Sequence, residues 1–146
     1  MSFSKYIEKL KVISFNEITI GFTTIYVFSE DKINENQIGY SVNLEGQSLV
    51  GEADGDWKKN WLVIGYESLC GDPLFTDIET ENFPVFTAIH GVGSWDKKII
   101  ADNFVSFIKS LEIAAKCKTA ESCFEEIKTL NKMSDFEFWE ALFEDY

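Results

Sequence analysis

Apolar positions near the start of the chain recur at helical spacing. Tyr6, Ile7 and Leu10 share one face and Lys5, Lys9 and Lys11 lie off it, which predicts a helix over 3–12. The period then shortens. Ile18, Ile20 and Phe22 alternate and Ile25, Val27 and Phe28 follow, so 17–28 read as β structure with a bulge or bend at Gly21. Residues 29–36 are a polar connection. Tyr40, Val42 and Leu44 alternate before Gly46 and suggest another strand, followed by a turn-rich stretch over 51–60. The run from Trp61 to Tyr66 is apolar without alternation, as a buried strand is. Leu74-Phe75 and the segment from Pro84 to Ile89 are further strand candidates, separated by polar residues 77–82. After Trp95 the helical period returns. Phe104, Phe107, Ile108 and Leu111 mark one face of a helix over 102–116, with Asp102 as its N-cap. Ser122–Glu125 and Ser134–Glu137 both have capping-box spacing, the first ahead of Ile127 and Leu130, the second ahead of Trp139 and Phe143. Strands in the middle and helices at both ends predict an α+β fold: one mostly antiparallel sheet with flanking N- and C-terminal helices. No repeat or linker divides residues 1–146, so a single domain is expected.

Charge narrows the function. Lys and Arg total 13 against 25 Asp and Glu, a net charge of −12. Phosphate backbones and anionic lipid repel such a chain, which argues against direct nucleic-acid or membrane-surface binding and favours a basic protein partner. No secretory leader and no spanning apolar run is visible. Cys70, Cys117 and Cys123 lack metal-site spacing and read as reduced thiols, which points to the cytoplasm.

Catalytic, metal and cofactor patterns fail when tested. Counted from Glu52, the EF-hand positions for Gly and Glu hold Trp57 and Val63, so Glu52, Asp54 and Asp56 form an acidic turn. Gly91-Val92-Gly93 lacks the third glycine of a dinucleotide loop, because Asp96 stands there. His90 is the one histidine, and no nucleophile elbow accompanies it. Cys70 has no base placed beside it by motif. No catalytic residue, metal or cofactor is expected.

The most informative stretch is 61–107. Ile64-Gly65 ends an apolar strand, Gly71-Asp72-Pro73 makes a turn, Asp77 closes the next strand, and Pro84-Val85-Phe86 follows. Ala101, Phe104 and Phe107 then have the spacing of a helix entry. This ordered set resembles the SUKH superfamily, which groups bacterial immunity proteins with a yeast regulator of cell-wall assembly. Residues 1–40 depart from that pattern, since the family's Leu-Pro-x-x-Tyr and Asn-Gly blocks are missing. The resemblance implies a SUKH-like, non-catalytic scaffold that neutralises a polymorphic toxin, often a nuclease. An intracellular scaffold or regulatory module without a toxin partner is the alternative. The acidic, aromatic C-terminal region supplies the first candidate partner surface, with Glu137, Trp139, Glu140 and Phe143. Trp57 and Trp95, in turn-rich segments, supply the second.

Overall fold

A computed structural model describes residues 2–117, 120–132 and 136–143, with the backbone alone at 120 and 121. Helix α1 (Ser2–Leu10) buries the predicted face, Tyr6, Ile7 and Leu10. Strands β1 (Glu17–Ile20) and β2 (Thr23–Val27) follow, then the short helix α2 (Glu30–Ile33) and a 3-10 turn (Glu35–Gln37). Strands β3 (Trp61–Glu67), β4 (Pro73–Asp77), β5 (Val85–Thr87) and β6 (Lys98–Ala101) lead into helices α3 (Phe104–Lys116), α4 (Ala120–Leu130) and α5 (Glu137–Leu142). The six strands form one sheet in sequence order, and every pair is antiparallel. The α+β expectation holds.

Several local readings change. The bend at Gly21 is a full reversal: Ile20 pairs with Thr23, leaving Gly21-Phe22 as the hairpin turn. Gly21 has φ +60°, the conformation a type II′ turn needs at its first central residue. Tyr40–Leu44 is not a strand; Val42 makes only isolated bridges, to Ile38 and Ser48. The alternation there reflects Tyr40 packing its ring on Trp57 and Trp95, while Leu44 is exposed. Strand β6 was hidden because its run of Ile99, Ile100 and Ala101 continues into the helix entry. The cap of α3 is Asn103, whose side chain accepts from Ser106 N at 2.8 Å, not Asp102. Asp102 instead accepts from Lys132 N, two residues past the end of α4. Ser122 lies inside α4 and does not cap it. Ser134 is outside the described residues.

The two faces of the sheet are covered differently. On one, Ile20, Ile25, Val27, Ile64, Leu74 and Ile100 pack against α1, α3, α4 and α5. The four predicted α3 residues are all buried there. On the other, Val63, Phe75 and Phe86 meet Trp57, with Tyr40, Trp61 and Trp95 beside it. The long β2–β3 connection therefore closes this face with aromatic rings in place of a second helix layer. Cys117 and Cys123 pair as a disulfide across the α3–α4 connection, with Cα atoms 6.0 Å apart, within the usual span. This corrects the expectation of three reduced thiols. Helix packing brings the two together, which spacing along the chain does not reveal; Cys70 alone is free.

Candidate functional site

Because the sheet is a meander, alternate connections share an end. The β1–β2 turn, the β3–β4 turn and the segment after β5 lie together at one end. The β3–β4 turn is the most organised of these. Gly71 has φ +78°, which lets the chain reverse and turns several N–H groups inward. Glu67, almost fully buried, folds its carboxylate beneath them. Its Oε2 accepts from Leu69 N at 2.9 Å and Cys70 N at 3.0 Å. Its Oε1 accepts from Asp72 N at 2.9 Å and Cys70 N at 3.1 Å. A carboxylate suits this role because it only accepts.

Asp72 does not cap its own turn, the role its position in Gly-Asp-Pro suggests. Its Oδ1 accepts from His90 N at 3.1 Å and lies 2.7 Å from His90 Nδ1. It thereby ties the β3–β4 turn to the segment after β5. The Thr87 hydroxyl adds a bond to Pro73 O at 2.9 Å.

The groups gathered here invite chemical readings. Donor atoms of Glu67, Cys70 and Asp72 lie within 4.8 Å of one another. Both Glu67 oxygens are already engaged by backbone N–H groups, and Asp72 is engaged by His90. The set therefore serves as a knot that fixes the turn. Burial, then the negative charges of Glu67 and Asp72, push the Cys70 thiol up from its ordinary pKa. A thiol held protonated is a poor nucleophile.

Beside the knot is a cleft of about 310 Å³. Helix α5 forms its other wall. The Trp139 indole N–H donates to Ile100 O at 2.8 Å and anchors α5 across the end of β6. Farther along, Leu142 O would lie 3.1 Å from a Cβ at Gly21, so the helix closely approaches the β1–β2 turn. Phe138, Ala141 and Leu142 face the cleft from α5, Ile100 from β6, Ala88 and Ile89 from the segment after β5, and Leu69 from the β3–β4 turn. Leu69 is 41% and Ile89 56% exposed. Lys98 pairs with Glu137 at 3.2 Å on the rim. Larger hollows, of about 490 and 620 Å³, are lined largely by charged and polar side chains, such as Lys109, Glu112 and Glu126 in one and Lys5, Glu8 and Glu79 in the other.

The residues proposed from sequence as partner contacts divide sharply. Trp139 and Trp57 are fully buried. Trp139 packs on Phe107 and Phe138, and Trp57 donates to Trp61 O at 2.8 Å inside the aromatic face. Neither ring is available to a partner, which corrects their assignment as surface anchors. Trp95 is half-buried against Trp57 and Tyr40. Phe143 is half-buried against the Phe124 ring at 5.3 Å. Glu137 and Glu140 are exposed on α5. Of the exposed or half-buried apolar residues lining the cleft, Phe138 belongs to the aromatic C-terminal region singled out in the sequence, whereas Leu69 and Ile89 were not among the candidates. Each adjoins a residue that was noticed, but only the meander brings them together. Among known proteins, no family model, no curated protein and no solved structure matches this chain.

Proposed function

We propose that this chain is a non-catalytic protein-binding domain, an immunity protein that neutralises a basic toxin domain of nuclease type. The observation that carries the reading is an exposed apolar cleft with carboxylates on its rim, in a chain of net charge −12. A nuclease is positively charged where it grips phosphate, so an acidic domain is drawn to that surface and can block it. The resemblance over 61–107 points the same way. The reactive groups in the described site serve structure: Glu67 and Asp72 hold backbone, and Cys70 is held protonated. The protein would act in the cytoplasm of the cell that makes it, because a nuclease-type toxin meets its nucleic-acid substrate there.

The test is co-expression with a toxin domain encoded beside this chain. Survival of the cells and a stable purified pair are expected. The association rate should fall by roughly tenfold or more from low to high salt, as the Debye length shrinks from about 10 Å at 0.1 M to about 3 Å at 1 M, while dissociation changes less. Persistent lethality at equal expression would reject the immunity role and leave a regulatory scaffold as the reading to pursue.

A further inference from the structure

We infer that the cleft between α5 and the β3–β4 turn seats one large apolar side chain of a partner segment that carries Lys or Arg on either side. This rests on the protein-binding reading above. Leu69 and Ile89 come from different connections, yet both line the same hollow and remain exposed. Apolar side chains scattered singly over a surface need no explanation, whereas two converging on an apolar floor form a concave site that an apolar side chain can fill. The floor is Ala88, Ile100, Phe138 and Leu142. A volume of about 310 Å³ is at the small end for ligand pockets, sized for a single ring or branched chain.

The rim gives the sign of the flanking charge. Asp72 and Glu137 line the opening, and Glu140 is exposed on the same short helix. The cation there, Lys98, pairs with Glu137, so Glu67 and Asp72 on the lining and Glu140 beside it carry the excess negative charge. An acidic segment would meet repulsion from this rim and from the whole chain. A basic segment can bridge to the carboxylates while its apolar residue enters the hollow. Rigidity supports the assignment, because the wall on the β3–β4 side is fixed by Glu67 and by the Asp72–His90 bond. A wall ordered in advance lowers the entropy cost of binding. Val12 and Val105 also converge, but on a smaller hollow of about 180 Å³ that carries Lys9 and Lys109 on its lining and so lacks a net acidic rim, while Leu44 and Val50 on the long connection line none of these hollows.

The experiment titrates the isotope-labelled full chain with the peptide acetyl-Lys-Lys-Trp-Lys-Lys-amide and follows backbone amide shifts. Two control peptides replace Trp by Ala or all four Lys by Glu. Saturable shifts centred on Leu69, Cys70, Ile89, Phe138 and Ala141 are expected with the first peptide alone. Leu69→Ser and Ile89→Ser should each weaken binding by about tenfold, the loss of one good apolar contact, with melting temperature unchanged because both side chains are exposed. Equal shifts with the Ala peptide, or shifts centred on another surface, would overturn the cleft assignment. The same two variants are then tested against the toxin domain. Wild-type affinity in both would show that the protein-binding reading stands and the cleft is wrong. If the toxin domain does not bind, the immunity reading fails, and the peptide titration alone decides whether the cleft takes a basic apolar segment.

Discussion

Two buried polar side chains have opposite standing. Glu67 receives three backbone N–H groups of the β3–β4 turn. Glu67→Ala leaves them without their acceptor and should cost about 1–3 kcal/mol in urea unfolding. Glu67→Gln, which keeps one acceptor oxygen, should recover part of it. A loss below the error of the measurement would mean the turn holds without its carboxylate. Tyr6 is the reverse case. It is fully buried, its rings contact Phe83 and Phe104, and its hydroxyl has no partner among the described residues. Burial pushes its pKa far above that of an ordinary tyrosine. The folded state therefore holds this proton more tightly than the unfolded chain does. Its contribution is complete below the ordinary value near 10 and declines as pH rises past it. Tyr6→Phe should raise stability at pH 7 by about 1 kcal/mol and flatten the alkaline loss, read from melts between about pH 7 and 11. A destabilised Phe variant would show that the hydroxyl has a partner after all.

The helices were the most legible elements, because periodicity reports burial directly. Tyr6, Ile7 and Leu10, and Phe104, Phe107, Ile108 and Leu111, all face the core as their spacing implies. Strand β3 was legible as an unbroken apolar run for the same reason, since it is covered on both faces. The long β2–β3 connection was not. Its Trp57 appeared to be a loop residue suited to a partner, but it closes the second face of the sheet. Nothing local distinguishes a Trp that folds back from one that points out. Gly65 shows the same limit. It read as the end of a strand, yet it lies within β3 beside a register shift, where a Cβ would collide with the Tyr26 carbonyl. The site was legible only as far as its turn residues. Its cleft depends on which connections the meander brings to one end. One element-level device was invisible in sequence. Where β2 has ended, buried Gln37 donates to Val63 O at 2.8 Å and accepts from Val63 N at 3.0 Å, replacing a strand neighbour. Gln37→Leu should leave both Val63 groups unpaired at a cost of about 2–4 kcal/mol and speed hydrogen exchange at Val63. Unchanged protection at that amide would show that water or backbone takes over.

At the scale of the whole molecule, an acidic surface, a covered sheet and one organised end combine in a domain held by neighbour-to-neighbour pairing. Among the described residues no helix is long and apolar enough to cross a membrane. The strict strand order has a kinetic consequence. Each strand meets the one before it in sequence, so most pairings close short loops and cost little chain entropy. The exception joins β2 to β3 across residues 28–60. Folding should therefore begin in the β3–β6 meander with α3 laid upon it, and the β1–β2 hairpin should dock late. Transition-state φ-values are expected to be high at Leu74 and Phe107 and near zero at Ile18 and Ile25. High values at Val27, which pairs with Gly65 across that connection, would place the long closure before the barrier. With the expected order, substitutions in the first hairpin leave the folding rate almost untouched and shorten the lifetime of the native state, so this hairpin sets how long the molecule stays folded and the meander sets how fast it gets there.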